Sequence, residues 1–482
     1  MTPTSARLRP PRPSRPRERG AALLIVMVAV AVLTALAVDL SYEARVRLRI
    51  AANARDELRA TALAQSGVNM ARLVLSFQQQ LDGTSKQLAG LAGAAGGLPG
   101  NLGAILTALQ GGAPPAPAKG PAQAGQQTQS QGAASGGGLG IQLWNLVPVN
   151  SGLVSALFPG AGVSPSPGKA APAGEGASRP TAAYGDFEGG FDVKIEDEAT
   201  KVNLQFDSPL AQTGTLPMQV DAYLRLVCDP KWDPIFDRED ANGQRWNRQD
   251  VAVHLRDWTD ADQVSSNLAV SFPAGSCSYL IAPNPFEPGF GDENYPYDRG
   301  PERYKAKNAR LDSLDELYLV AGVSDAFMAA FGDHLTVYVP RDFGMNVNTN
   351  DPAEQLRIAW LMSEPGPTQG LLADPAFQAR FQKALLEVRM GGLLTVTPLQ
   401  FAQLLEGLGV LVKAQYATQS STSTSFTDKS VVFRIRALGA AGDVTKLIDA
   451  VVTFDPTQTT DPTAPAVPGQ PTAGRLIHWR EE

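Results

Sequence analysis

Arg19-Gly20-AALLIVMVAVAVLTALAV-Asp39 is the stretch of this chain that decides its fold, the run in one-letter code being Ala21 to Val38. Six arginines (Arg7, Arg9, Arg12, Arg15, Arg17, Arg19) stand before a single glycine, and eighteen residues without a charge follow it. A basic front on an apolar run orients a chain across a membrane with its arginines inside. At about 1.5 Å per residue the run extends about 27 Å, barely the hydrocarbon thickness. A cleaved secretory signal has a shorter apolar core with a small-residue site behind it. Here the run ends in Asp39-Leu40-Ser41-Tyr42-Glu43, and the small residue, Gly20, lies in front.

That placement is typical of a prepilin leader. Cleavage after Gly20 leaves Ala21, and with it the apolar helix, at the new N-terminus. An uncleaved single-span anchor is the plainer alternative. The helix is expected to continue beyond the membrane. From Asp39 to about Leu81 the sequence has no proline, and only Gly67 interrupts it. Leu40, Ala44, Ala51, Ala54, Leu58 and Ala62 recur at three-, four- and seven-residue spacings and predict one apolar stripe. A continuous helix of about 60 residues would be about 90 Å long. An ordinary juxtamembrane helix after an anchor is the competing reading.

The chain has 482 residues, enough for two or three domains. Residues 1–20 carry six Arg and one Glu, so removing this +5 segment from a net charge of −7 leaves −12. An acidic body argues against nucleic acid as the main partner. Two cysteines, Cys228 and Cys277, would form one disulfide in a periplasmic body. Two lone thiols in separate cores are the alternative, and neither has metal-ligand spacing. Three histidines, His254, His334 and His478, give no catalytic pattern. Lone histidines of this kind are read as surface or satisfied core residues, and no enzyme is expected.

Order is expected to be uneven along the chain. Residues 111–140 hold nine Gly, seven Ala, five Gln, four Pro and one charge, Lys119. Such a stretch buries too little apolar surface to fold, so 81–185 reads as a flexible insertion. Gly168-Lys169 lacks the context of a phosphate loop. Phe191 to Ile195 and Lys201 to Phe206 read as strands, and Gln219 to Cys228 as a helix. Pro375 to Met390 and Pro398 to Leu411 read as helices. Ser425 to Ala437 and Leu447 to Phe454 read as a closing hairpin. The expected domains are a leader 1–20, a spine 21–80 with a membrane span 21–38, the insertion 81–185, a first β part 186–228, an α-rich inserted domain 229–365, a second β part 366–455 and a loose tail 456–482. The fold class is α+β: a long N-terminal helix and a small antiparallel sheet interrupted by a large α-rich insert.

Five quoted segments give this chain a resemblance to the large minor pseudopilin of type II secretion, the GspK family. Arg19-Gly20 is followed at the fifth position by Ile25, where most pseudopilins carry a glutamate and this family does not. Asp257-Trp258-Thr259-Asp260-Ala261-Asp262 resembles its D-W-x-D-x-D segment. Gly291-Asp292-Glu293-Asn294-Tyr295 resembles its acidic G-x-E-D-x-x-Y loop in degraded form. Through Asn308 this leads to Leu314-Asp315-Glu316-Leu317 and Val320-Ala321-Gly322, similar to its S-x-x-E-L-x-x-V-x-G run. Met345-Asn346-Val347-Asn348-Thr349 resembles its N-V-N-T-A segment, with Asn350 in place of alanine. The resemblance covers roughly 1–80 and 186–455 and leaves 81–185 unassigned.

The resemblance implies a pilin-like spine and a place at the tip of the pseudopilus, initiating or capping assembly in support of protein export. A subunit with Ile25 offers no carboxylate to the amine of a subunit above it, and a buried amine without a partner is costly. The implied partners are small minor pseudopilins (GspI-, GspJ- and GspH-like), the major pseudopilin, the prepilin peptidase, and secretin or exported proteins. Leu40, Ala44, Ala51 and Leu58 would make the spine contacts. The implied location is the inner membrane, single pass, with the body in the periplasm. The resemblance also implies calcium in the α-rich domain. Asp260, Asp262, Asp292 and Glu293 are the candidate ligands, because calcium takes six to eight oxygens in loose geometry. Asp257 is a further ligand or a cap, and solvated turn carboxylates are the bland alternative. Two other readings stand beside this one. Leu314 to Thr349 is similar to helix-hairpin-helix modules that grip DNA, although its neighbours Asp325, Asp333 and Asp342 are acidic. A minor type IV pilin would share the leader but lacks the α-rich insert.

Overall fold

The computed structural model describes residues 19–95 (side chains from 23 to 80), most of 140–152, 189–455 apart from short segments (208–214, 237, 240–242, 271–276, 278, 299–302, 342 and 418–424), and 474–482. The leader expected at 1–20 lies almost wholly outside them.

One helix, α1 (Arg19–Ala95), runs 77 residues, about 115 Å. Nothing in its sequence breaks it before Gly96-Gly97-Leu98-Pro99. Then follow α2 (Leu143–Leu146), β1 (Val149–Asn150), β2 (Gly190–Asp197), β3 (Val202–Asn203), α3 (Leu216–Val227), α4 (Asp233–Phe236), α5 (Arg248–Thr259), β4 (Val264–Leu268) and β5 (Phe286–Asp292). The chain continues through α6 (Asp325–Phe331), β6 (Leu335–Thr336), β7 (Met345–Asn346), α7 (Pro352–Met362), α8 (Pro375–Val388), α9 (Pro398–Gly407), α10 (Ala414–Ala417) and β8 (Phe426–Thr427). It closes with β9 (Val432–Ala441), β10 (Val444–Thr453) and β11 (Arg475–Glu481).

The main sheet has the order β1-β2-β9-β10-β11 and every pair in it is antiparallel. α1 lies across one face. Ala64, Val68, Ala71 and Leu75 are buried there with Phe433, Ile435, Ala437, Ile448, Ala450 and Val452, and Ala60 and Leu63 with Val149, Phe191 and Ala441. Glycine on each side permits the close approach. A Cβ at Gly439 would meet the Ala60 carbonyl oxygen at 2.0 Å, and one at Gly67 would meet Val193 Cγ2 at 2.8 Å. Gly67, which looked like an interruption of the helix, is its point of contact with β2.

The opposite face of the sheet is charged and meets the α-rich region. Arg434 pairs with Glu198 at 2.8 Å and Asp449 at 3.0 Å, Lys201 with Glu198 at 2.7 Å, and Arg436 with Asp333 at 2.9 Å. Two short parallel pairs, β3 with β6 and β7 with β8, carry the chain between the two regions. The Asn346–Thr349 segment runs along this crossing with its amides buried. Asn346 Nδ2 donates to Asp197 Oδ2 at 2.7 Å, and Asn348 exchanges bonds with the backbone of Val396.

Several boundaries differ from expectation. The stretch 81–185 is not wholly an insertion. α1 extends into it as far as Ala95, β1 pairs with β2, and Trp144 packs edge-on against Phe433 at 5.7 Å. The rest of that stretch lies outside the described residues. The α-rich unit does not stop at 229 and 365. Tyr223 of α3, Phe377 and Phe381 of α8 and Phe401 of α9 share one core with Ile358 and Met362 of α7, because each helix has one apolar face and only this core to bury it in. Within the expected Lys201–Phe206 strand only Val202–Asn203 pairs. The tail is not loose throughout: Arg475–Glu481 hydrogen-bonds along β10 as the sheet's edge. Cys228 and Cys277 are joined in a disulfide.

Candidate metal centre

α5 begins in a capping box, with Asn247 accepting from Gln249 and Asp250 and the Asp250 side chain returning to the Asn247 N–H. It ends at Asp260, and the pattern Asp257-Trp258-Thr259-Asp260-Ala261-Asp262 therefore sits on its last turn and exit. Trp258 fixes this end in place. Its Nε1 donates to Glu316 at 2.9 Å, and its ring meets Tyr297 edge-on at 5.3 Å. Glu316 in turn receives Lys307 at 2.9 Å. Glu293 arrives from the end of β5, whose partner β4 starts two residues after Asp262.

The result is three carboxylates, Asp260, Asp262 and Glu293, with ligand atoms all within 4.8 Å of one another. Their surroundings differ. Asp262 is exposed and its Oδ1 accepts from the Val264 N–H at 2.8 Å. Asp260 is buried; its Oδ2 pairs with Arg256 at 3.1 Å, and its Oδ1 has no hydrogen-bond partner. Arg256 is itself committed to the Phe206 carbonyl. Glu293 is 1 % exposed, and neither of its oxygens makes a hydrogen bond of good geometry; the Asn308 side chain beside it lowers its pKa against the larger rise from burial. Asn308 lies alongside in the left-handed region at φ +50°, its Nδ2 donating to the Asp262 carbonyl at 2.6 Å and its Oδ1 buried without a partner. Buried oxygens without a well-formed hydrogen bond are rare in folded proteins. Four such atoms converge here.

Burial dominates the electrostatics. It pushes Glu293 up to about 7, Asp257 to about 7 and Asp260 to about 6, with neighbouring carboxylates adding to each shift. Arg256 holds Asp260 back from rising further. Asp257 stands outside the group: it ties the last turn of α5 to β4, its Oδ1 accepting from the Ser266 N–H at 2.9 Å. Asp292 stands apart: it is exposed, and its Oδ1 accepts from the backbone and side chain of Asn294, both at 2.9 Å, which lowers its pKa. Of the four sequence candidates the fold thus gathers three. Asn308, which the fold brings beside them, was not among the candidates; its left-handed backbone, which asparagine tolerates, is invisible in the sequence.

An all-oxygen set from three segments suits a hard divalent cation, not a transition metal. The other sequence-predicted residues lie on α1. Gly20 and Ala21 fall in its first turn, where side chains are not described. Ile25, Leu40 and Leu58 are 69 %, 66 % and 75 % exposed, and Ala44 and Ala51 are exposed too. The glycine of the Val320-Ala321-Gly322 turn has φ +90°, and a Cβ there would meet Val251 Cγ2 at 2.6 Å, so packing on α5 explains it.

No protein-family model and no curated protein matches this sequence. Among solved structures the chain is similar to one in the GspK-GspI-GspJ complex of the enterotoxigenic Escherichia coli type 2 secretion system. That likeness has a TM-score of 0.38 and 14 % identity, and covers 61 % of this chain and 81 % of that one.

Proposed function

We propose that this chain is the large minor pseudopilin of a type II secretion system, held in the inner membrane by α1 with its body in the periplasm. The observation that carries the reading is the division of α1. From Leu23 to Val38 its residues carry no charge and all of them are exposed, as a membrane span requires. Its later part is buried on the sheet along one face only. At about 100° per residue, Leu40, Ala44, Ala51 and Leu58 fall on the side opposite Ala60, Ala64 and Ala71. The body therefore leaves an apolar helix face free for the spines of neighbouring subunits, the small minor pseudopilins and the major one. Ile25 and the bulk of the α-rich unit favour the tip, where nothing stacks above. The test is the N-terminal sequence of the mature protein in cells with and without prepilin peptidase. A peptidase-dependent start at Ala21 is expected. An intact Met1, or a cut beyond Val38, would overturn the reading.

The same proposal gives the acidic centre calcium, with Asp260, Asp262 and Glu293 as ligands and Asn308 Oδ1 completing the oxygen set. The orphaned buried oxygens support the fit, and a cation there would tie the exit of α5 to the β4–β5 hairpin and the Asn308 loop. Calcium is expected to raise the melting temperature and a chelator to lower it. Glu293→Gln would lose that response. A melting temperature indifferent to calcium would sink the assignment.

A further inference from the structure

A second metal-ligating group lies away from the acidic centre and differs from it in chemistry. His334 closes the short 3-10 turn before β6, and Asp351 and Glu354 lie at the start of α7. A ring nitrogen of His334 and one oxygen from each carboxylate lie within 4.8 Å of one another. The three line a cavity of about 890 Å³ where the sheet, the docked segment around Trp144 and the α-rich unit meet.

The parts of this group are held differently from one another. Glu354 is buried, with Oε2 fixed by Arg357 at 2.6 Å and Oε1 on His334 Nδ1 at 2.7 Å. Asp351 is exposed and spends one oxygen capping α7 at the Ala353 N–H. The His334 side chain is one-third exposed. The buried carboxylate fixes the imidazole, while the ring and Asp351 stay reachable from the cavity. Asn350 lies on the same wall, while Asn348 and Thr349 beside it accept from the Val396 and Asp351 N–H groups. The other two histidines are placed differently: His254 is buried on the Ala321 carbonyl against Trp246, and His478 lies against Tyr338.

We infer that His334, Asp351 and Glu354 form a site for a divalent transition cation of the zinc type, open to the cavity and separate from the all-oxygen centre. A mixed imidazole and carboxylate set selects zinc, cobalt or nickel, while calcium prefers oxygen alone. Metal binding would release the proton shared by His334 Nδ1 and Glu354 Oε1 and turn both atoms into ligands; with Asp351 these three leave a coordination position free for water or for a group on a partner. The inference is independent of the pseudopilin reading.

The test is zinc titration of the full chain in detergent with calcium in excess, repeated with cobalt to read the absorption of a low-coordinate nitrogen and oxygen site. One equivalent of zinc is expected. His334→Ala and Asp351→Asn should each weaken it about tenfold or more; Asp351→Asn retains the helix cap and decides the matter should His334→Ala fold poorly. Asp260→Asn should leave zinc affinity unchanged. No zinc uptake by the unaltered chain, undiminished affinity in both site variants, or a loss in Asp260→Asn instead would overturn the inference.

Discussion

The two faces of the five-stranded sheet are held by different physics. Toward α1 the contact is apolar and close, made by Ala60, Ala64, Gly67 and Gly439 with Ile435, Ala450 and Val452 around them. Toward the α-rich unit it is a network of ions, with Arg434 and Arg436 of β9 reaching Glu196, Glu198, Asp333 and Asp449. The apolar contact depends on shape, because a helix approaches a strand closely only where side chains are absent. The charged contact depends on completeness, because a buried ion is tolerable only while its partners remain. One face resists changes of charge state and fails on added volume. The other accepts modest changes in shape and fails when one ion is removed.

The largest effect that separates the faces should come from Arg434→Met. It leaves Glu198, which is fully buried, with Lys201 as its one remaining ion-pair partner among the described residues. Loss of one member of a buried ion pair costs about 3–5 kcal/mol, to be read by denaturant unfolding; a cost under about 1 kcal/mol would show that the charged face is not what holds the two regions together. Next is Gly439→Ala, which places a methyl group against the Ala60 carbonyl. Overpacking of this kind costs about 1–3 kcal/mol, and the same measurement applies. An unaffected variant would mean that α1 can lift from the sheet without penalty.

Acid should act on the charged side alone, and with two signs. Glu196 is held at about 2: burial alone would raise it, but Lys201, Lys194 and Arg436 more than reverse that. Its folded pKa is depressed, so its contribution is present above its unfolded value of about 4.3 and is lost as pH falls toward 2. Asp197 is the opposite case, raised to about 6 chiefly by burial. The folded state binds its proton more tightly, so Asp197 adds stability as pH falls from above 6 to about 4. Asp257, Asp260 and Glu293 of the acidic centre are raised in the same way and gain in the same range, so melting temperature against pH should bend twice, and Asp197→Asn should shrink the gain between about pH 6 and 4 while leaving the loss toward pH 2. The smallest effect on stability belongs to the free face of α1. Leu58→Gln should change unfolding by no more than about 0.5 kcal/mol yet weaken cross-linking to neighbouring subunits. A stability loss as large as that of Gly439→Ala would place Leu58 in the body's own core.

The sequence was most legible where a single period or spacing decided the outcome. The uncharged run after Gly20 and the proline-free stretch behind it yield α1, because helix formation there needs only local propensity. The alternation at Phe191–Ile195 yields β2 for the same reason. Residues that act through distant partners were less legible. Trp144 sits in a glycine- and proline-rich neighbourhood whose composition argues for disorder, yet it docks on Phe433, nearly 300 residues away in sequence. The closing strand Arg475–Glu481 follows a Pro- and Thr-rich segment and forms because the edge of β10 is there to receive it. At the acidic centre the pattern at Asp257–Asp262 and Glu293 pointed to the loops whose carboxylates come together. It did not separate Glu293, which is buried, from Asp292, exposed and engaged with its own turn.

By itself, then, the sequence determined the long helix, its apolar first third, the α+β composition and the acidic loops, all of which follow from local periodicity and charge. Tertiary structure alone decided which face of α1 is covered, that Cys228 meets Cys277, that helices on both sides of the expected domain boundaries share one core, and which carboxylates converge. Those outcomes depend on burial and on distances between segments far apart in the chain, and neither is encoded within any one of them.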